Sequence, residues 1–301
     1  MSNVTAPALG DSGPVPTGTG HLLLLGAAYS TETLAAYLLQ AGWRVSAQAR
    51  DNTKAATLKA VGITPVAPAD IPARLGNDVT HVLVSAPPGP NGDPVLTAYL
   101  RGFTAAEGIR WFGYLSTTSV YGDHDGGWVD EDTPPIPGND RGSRRLAAEV
   151  AWRNLGMPTH VFRLAGIYGP GRNAFTQIIS GKAKRINKPG HLFNRIHRDD
   201  IGAIVLASMA KPSPGAVYNL ADDEPAAQAD VISFAARLMG KVLPPPIPFD
   251  EAELSAMSHE FFAENKRVRN KRVKQDLGLK LLYPSYRSGL EALLHIDGQD
   301  G

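Results

Sequence analysis

Short apolar runs alternate along this chain with stretches in which apolar residues recur at helical spacing. Residues 22–25 are consecutive leucines, the pattern of a strand covered on both faces. Over residues 31–41 the spacing of Leu34, Leu38 and Leu39 predicts a helix, which Gly42 ends. Residues 44–49 read as a second strand and 53–61 as a short helix closed by Gly62. A third clear strand, 81–85, is halted by Pro87-Pro88-Gly89-Pro90. A helix at 94–106 leads to a strand at 111–116, and a helix at 144–154 to a strand at 160–164. Beyond residue 170 the pattern is less regular. It gives a helix at 199–211, a strand at 216–220, a helix at 229–239 and a stiff proline-rich linker at 243–248. The final fifty residues read as helical and charged.

Strand–helix–strand alternation with right-handed crossovers predicts an α/β fold: a doubly wound parallel sheet of the Rossmann type. A smaller C-terminal substrate lobe is expected over the carboxyl edge of the sheet. The expected division is a dinucleotide-binding domain over residues 21–171 and 198–222, and the substrate lobe over 172–197 and 223–297. Residues 1–20, rich in Gly, Pro, Ser and Thr, lack the basic start and apolar run of a signal peptide and are expected to be a disordered extension. Net charge is +1, which gives no bulk attraction to nucleic acid or membrane. A cytoplasmic protein is expected. The chain has no cysteine, which excludes disulfides, thiolate catalysis and cysteine-ligated metals, and no metal site is expected. Lys266, Arg267, Arg269, Lys271, Arg272 and Lys274 form a basic run. Flanking acids and the lack of interleaved aromatics make it a solvated helix face rather than a nucleic-acid site.

Candidate chemistry starts at Gly26-Ala27-Ala28-Tyr29-Ser30-Thr31, between the first strand and its helix. In this position a glycine-rich turn lets the backbone approach a pyrophosphate at a helix N-terminus. Gly26 is kept, while Ala28 and Thr31 stand at the other two glycine positions. Ser30 or Thr31 offers a hydroxyl to phosphate or a cap to the helix. Strand two ends in Ala49 and Arg50 rather than in an acid. That pair leaves room and a counter-charge for a 2′-phosphate, so NADP(H) is favoured over NAD(H), which stays open. Asp70 is placed to contact adenine, and Ala86, between Ser85 and Pro87, to line the ribose side. An ordinary strand-to-helix turn and a solvated arginine would leave the same residues.

Three further segments complete the pattern: Leu115-Ser116-Thr117-Thr118-Ser119-Val120-Tyr121-Gly122, then Arg163-Leu164-Ala165-Gly166-Ile167-Tyr168-Gly169-Pro170-Gly171-Arg172, then Arg195-Ile196-His197-Arg198-Asp199-Asp200-Ile201 followed by Val217-Tyr218-Asn219-Leu220. In this order and spacing, the chain from about Leu22 to about Leu294 resembles the extended short-chain dehydrogenase/reductase superfamily. The resemblance is to its NAD-dependent epimerase/dehydratase branch and to atypical members with altered active sites. It implies that Thr117 is the catalytic hydroxyl and that Arg145 stands where a lysine holds the nicotinamide ribose. Arg141 falls on the acid/base tyrosine. A guanidinium stays protonated and cannot shuttle that proton, although it can stabilise an oxyanion or clamp a carboxylate or phosphate.

Tyr121, Tyr168, Arg172 and Arg195 are expected beside the substrate, in a cationic region suited to an anionic ligand. His124 and Asp125 follow Tyr121 in a loop, and Asp130-Glu131-Asp132 resembles a structural acidic turn of the family. The resemblance also implies a homodimer through the helices after Pro94 and from Arg144. One reading is an NAD(P)-dependent oxidoreductase acting on a small, anionic or sugar-like carbonyl or hydroxyl compound. A second is a redox-silent NAD(P)-binding sensor or regulator, and a third a sugar-nucleotide epimerase/dehydratase, which asks more of the missing base. A protein that keeps only the fold is the fourth.

Overall fold

A computed structural model describes residues 13–298. Residues 1–12, most of the expected extension, lie outside the described residues. Residues 13–20 run along the body of the protein. Trp43 donates from its indole nitrogen to the Gly18 carbonyl at 2.9 Å, and the Arg44 amide donates to the Gly20 carbonyl at 3.0 Å.

The main sheet has seven strands: β1 (His21–Leu25), β2 (Arg44–Gln48), β3 (Thr64–Val66), β4 (His81–Val84), β5 (Trp111–Thr117), β6 (Thr159–Leu164) and β7 (Val217–Leu220). Their spatial order is β7-β6-β5-β4-β1-β2-β3, with every neighbouring pair parallel. The order reverses between β1 and β4, where ligands of doubly wound sheets bind beyond the strand carboxyl ends. β1, β4 and β6 are buried along their whole length, which explains the apolar runs at 22–25 and 82–84, while β6 also buries His160 and Arg163.

The helices in chain order are α1 (Glu32–Gln40), α2 (Asn52–Ala60), α3 (Ile71–Asn77), α4 (Pro94–Thr104), α5 (Asp140–Arg153), α6 (Ala174–Ile179), α7 (Arg198–Ala210), α8 (Gln228–Leu238), α9 (Ala256–Ala263), α10 (Lys271–Leu277) and α11 (Tyr286–Asp297). One core, including Leu22, Leu24, Leu34 and Ile204, packs α1 and α7 on one sheet face. A second, including Leu23, Leu25, Tyr99 and Trp152, packs α3, α4 and α5 on the other. A third core joins α6, α8 and α11 through Phe175, Phe234 and Tyr286, and forms the smaller C-terminal lobe.

Three expectations are corrected here. α5 begins at Asp140, not Arg144, because Asn139 caps it by accepting from the Gly142 amide at 2.8 Å. Arg141 and Arg145 therefore lie one turn apart on one helix face. The last fifty residues are only partly helical. Arg267–Val268 is extended and pairs in parallel with Trp128–Val129, between α9 and α10. The basic run there is not one solvated face. Lys266 is buried, Arg267 and Arg269 lie over the Trp128 ring, Arg272 pairs with Asp132 at 2.5 Å, and Lys274 pairs with Asp223.

Candidate functional site

The turn after β1 needs its first glycine. Gly26 has φ +99°, and a Cβ there would lie 2.5 Å from the Ala86 amide nitrogen. The Ser85 hydroxyl donates to the Gly26 carbonyl, tying the ends of β1 and β4 together. At the other two glycine positions the substitutions are accommodated locally. Ala28 is exposed. Thr31 is buried, and its hydroxyl donates to the Ala28 carbonyl at 2.9 Å while accepting from the Ala28 amide at 3.2 Å. Tyr29 acts as a strut rather than an open ligand group. Its hydroxyl donates to the Pro170 carbonyl at 3.0 Å, and burial pushes its pKa up to about 12. Ser30 faces the cavity described below.

At the ribose end Ala49 is buried, and its amide donates to the Val66 carbonyl at 2.9 Å. Arg50 is exposed, with no ion pair among the described residues. Asp51 caps α2 by accepting from the Lys54 amide at 2.7 Å. Lys54 then reaches back, its amine donating to the Ala27 carbonyl at 2.9 Å. Sequence reading missed Lys54, whose signal was a lysine one turn into a helix capped by Asp51. Asp70 is exposed at the start of α3, and its side chain does not cap that helix.

The segment expected to carry chemistry closes around α5. Thr117 ends β5, with its hydroxyl oxygen accepting from the Ser119 amide at 3.3 Å. Gly142 lets the helix approach this segment, since a Cβ there would lie 2.6 Å from the Ser119 carbonyl oxygen. Arg145 is held by one nitrogen. Nη1 donates to the Leu115 carbonyl at 2.8 Å, the Tyr114 hydroxyl at 3.1 Å and the Ala86 carbonyl at 3.4 Å. Arg141 lies with its guanidinium 5.8 Å from the centre of the Phe261 ring and makes no ion pair among the described residues.

Both arginines, Thr117, Ser119 and Ser85 border one cavity of about 260 Å³, which Ser30 and Phe261 also line; Ala86 does not line it. Among the described residues, no tyrosine or histidine lines it. Tyr114 lies beneath Arg145, fully buried, and burial pushes its hydroxyl up to about 12. His124 is tied to the Tyr121 carbonyl at 3.1 Å and does not line the cavity. Sequence reading also missed Lys266 and Glu264, which line it. Lys266 donates to Glu264 Oε2 at 2.6 Å and to the Gly122 carbonyl at 2.7 Å, while Glu264 Oε1 accepts from Asn139 at 2.7 Å. No local pattern marked them, because their partners lie on α5's cap and after β5.

Tyr121 is not a substrate contact. It is fully buried, donating to Asn219 Oδ1 at 2.8 Å and accepting from Arg163 Nη1 at 3.0 Å. Burial raises its pKa, and it does not line the cavity. Arg163 in turn grips Glu149 at 2.8 Å, and the Ser116 hydroxyl donates to the same carboxylate. Glu131 of the acidic turn accepts from the Asn219 amide at 2.8 Å, a structural role.

Tyr168 and Arg195 line a second cavity of about 870 Å³ in the C-terminal lobe, together with Lys182, Lys184 and Gln228. Tyr168 is largely buried and donates to the Ser285 carbonyl at 3.3 Å; burial raises its pKa. Arg195 Nη1 donates to the carbonyls of Phe193 and Ala226, both at 3.0 Å. Arg172 borders both cavities and lies 5.9 Å from the Tyr29 ring centre. Among the described residues, no group of His, Cys, Asp and Glu could hold a metal ion, and no helix is long and apolar enough to cross a membrane.

No protein-family model matches the chain. Protein YeeZ of Escherichia coli K12 is 34% identical over 173 residues, which cover 57% of this chain and 58% of YeeZ. The chain thus spans less than two thirds of the length of the curated relative it matches. A functionally unknown conserved protein from Silicibacter pomeroyi DSS is 49% identical, with a TM-score of 0.87 over 93% of this chain and 99% of that one. The human epimerase family protein SDR39U1, solved with NADPH, is 16% identical, with a TM-score of 0.73 over 93% of this chain and 99% of that one. The chain belongs to one family with the Silicibacter pomeroyi protein, and it shares its fold with the human epimerase family protein.

Proposed function

We propose that this protein is an NADP(H)-dependent oxidoreductase with a modified active site, the larger lobe taking the dinucleotide and the smaller lobe bordering the substrate. The observation that carries the reading is the cavity that runs from Ser30 and Ser85 at the switch point to Thr117, Arg141 and Arg145. A nicotinamide dinucleotide fits the residues there. Ala28 is exposed, and the Ser30 side chain faces the cavity. Arg50 is free and the Lys54 amine stands beside the β1 turn, two cations for a 2′-phosphate. The fold neighbour solved with NADPH supports the same cofactor class.

The nicotinamide would supply or accept the hydride, and everything else falls to the chain. Arg145, pinned through Nη1, keeps Nε and Nη2 for the ribose. Thr117 would hydrogen-bond the reacting oxygen, and the Arg141 guanidinium would stabilise negative charge on it. Neither arginine can give up a proton, so that proton would come from water at the cavity mouth. The pH profile of kcat/KM should then lack the ionisation of a catalytic tyrosine.

The cavity's lack of a tyrosine or histidine favours a second reading, a redox-silent NADP-binding regulator. Titration with NADPH and NADH, read by tryptophan quenching and reduced-nicotinamide emission, is the first test. A panel of carbonyl compounds is assayed next. Saturable NADPH binding with turnover supports the oxidoreductase, and tight binding without turnover on any compound selects the regulator. No saturable binding to either nucleotide overturns both.

A further inference from the structure

We infer that the substrate is a compact dianion whose negative charges are met by the guanidiniums of Arg141 and Arg172 on the wall of the cavity. This rests on the reading of the smaller cavity as the reacting site. Four cationic side chains border that cavity, Arg141, Arg145, Arg172 and Lys266, against two carboxylates, Glu260 and Glu264, leaving a surplus of two positive charges. The Lys266–Glu264 pair at 2.6 Å cancels itself. Arg145 spends Nη1 on three protein oxygens.

Arg141 and Arg172 are different. Each lies against an aromatic ring, Phe261 at 5.8 Å and Tyr29 at 5.9 Å, and neither has a carboxylate within ion-pair distance among the described residues. Elsewhere in the molecule, Arg44, Arg144, Arg163, Arg198, Arg272 and Arg287 pair with carboxylates, and Arg237, Arg267 and Arg269 also lie against rings without an ion pair among the described residues; Arg141 and Arg172 combine that state with a place on the cavity wall. The ring contacts place these two guanidiniums without using their N–H donors, which suits them to forked recognition of an oxyanion. Glu260 lies exposed on the rim without an ion pair among the described residues; by repelling anions it would set the ligand toward the arginines rather than α9.

Size narrows the class. The cavity measures about 260 Å³ in all, just below the range of drug-sized sites, and its Ser30 and Ser85 side is the one read as the cofactor's, so the space left beside Arg141 suits a ligand of only a few carbons. A dicarboxylate with a 2-oxo group and a phosphate ester next to a carbonyl share the required chemistry: two negative charges beside a reducible carbonyl.

Calorimetric titration of the full-length protein, without nucleotide, tests this. Probes are 2-oxoglutarate, dihydroxyacetone phosphate, the monoanion pyruvate and neutral acetone, at constant ionic strength. At least one dianion should bind about tenfold or more tightly than pyruvate, the preference falling by about tenfold in Arg141→Gln and returning in part in Arg141→Lys. Tighter 2-oxoglutarate binding identifies a dicarboxylate, and tighter dihydroxyacetone phosphate binding a phosphate ester. Equal affinity for dianions and pyruvate, or an unchanged preference in Arg141→Gln, overturns the inference. Thermal melts confirm that each variant is folded. NADPH titration of the same samples separates the two claims: its failure sinks the oxidoreductase reading without altering the anion result.

Discussion

Arg163 and Arg141 both act around α5, yet they represent opposite uses of a guanidinium. Arg163 is buried and uses every nitrogen: Nε and Nη2 on Glu149, Nη1 on the Tyr121 hydroxyl. Arg141 is exposed to the cavity and touches only the Phe261 ring. The first closes a polar network beneath the active segment, where a missing partner would be costly. The second leaves its N–H donors without a protein acceptor among the described residues. A saturated arginine near a site belongs to the architecture, and an unsaturated one is available to a ligand.

The sharpest break of this contrast is Glu149→Ala. It strands the buried Arg163 charge and should lower unfolding stability by about 3–5 kcal/mol in urea denaturation. A near-wild-type midpoint would show that the Arg163 network is not structural. Arg141→Ala, by comparison, should leave stability within about 0.5 kcal/mol, as expected of an exposed side chain.

Arg145 lies between the two extremes, and Arg145→Ala should weaken NADPH binding roughly 10- to 100-fold, the range of one charge-assisted hydrogen bond. Arg145→Lys should recover most of the loss. Unchanged NADPH affinity in Arg145→Ala would place this side chain with Arg163 as architecture.

Asp222 extends the comparison to a buried acid lacking a full set of partners. Its Oδ1 accepts from the Glu224 amide at 3.2 Å, Oδ2 has no partner among the described residues, and burial pushes its pKa up to about 8. The folded state therefore holds a proton that the unfolded chain releases above its ordinary value of 3.8. The stability this group contributes is full below that value and is lost as pH rises through about 8. Asp222→Asn should gain on wild type in melting temperature as pH rises from about 4 to about 9. A constant difference across that range would show that Asp222 is charged in the fold.

The smallest effect is expected at the ribose end. Arg50→Ala and Lys54→Ala should each weaken NADPH binding severalfold and leave NADH unchanged, with the difference shrinking at high salt. Equal losses for both nucleotides would remove the 2′-phosphate from the account.

The main sheet was legible because its strands carry their own signal: residues 22–25 and 81–84 are apolar runs bounded by turn residues. The start of α5 was not, because Asp140-Arg141-Gly142-Ser143 looks like a loop until Asn139 is seen to cap it. Thr117, Arg141 and Arg145 were singled out by their positions, and the structure places them around one cavity. Tyr121 misled because its partners, Arg163 and Asn219, are 42 and 98 residues away. Lys266 looked like one charge in a basic run, since its pairing with Glu264 and the Gly122 carbonyl depends on how the C-terminal segment returns. Local periodicity reports elements, while burial of a polar side chain is set by contacts that sequence distance hides.

Gly142 carries a consequence for engineering. Because the missing side chain seats α5 against the Ser119 carbonyl, positions 141 and 145 are fixed relative to Thr117 as one rigid unit. The double substitution Arg141→Tyr with Arg145→Lys would therefore set a tyrosine and a lysine one helical turn apart beside Thr117 without rebuilding the backbone. The chain is two side chains away from an internal reference for what its arginines do.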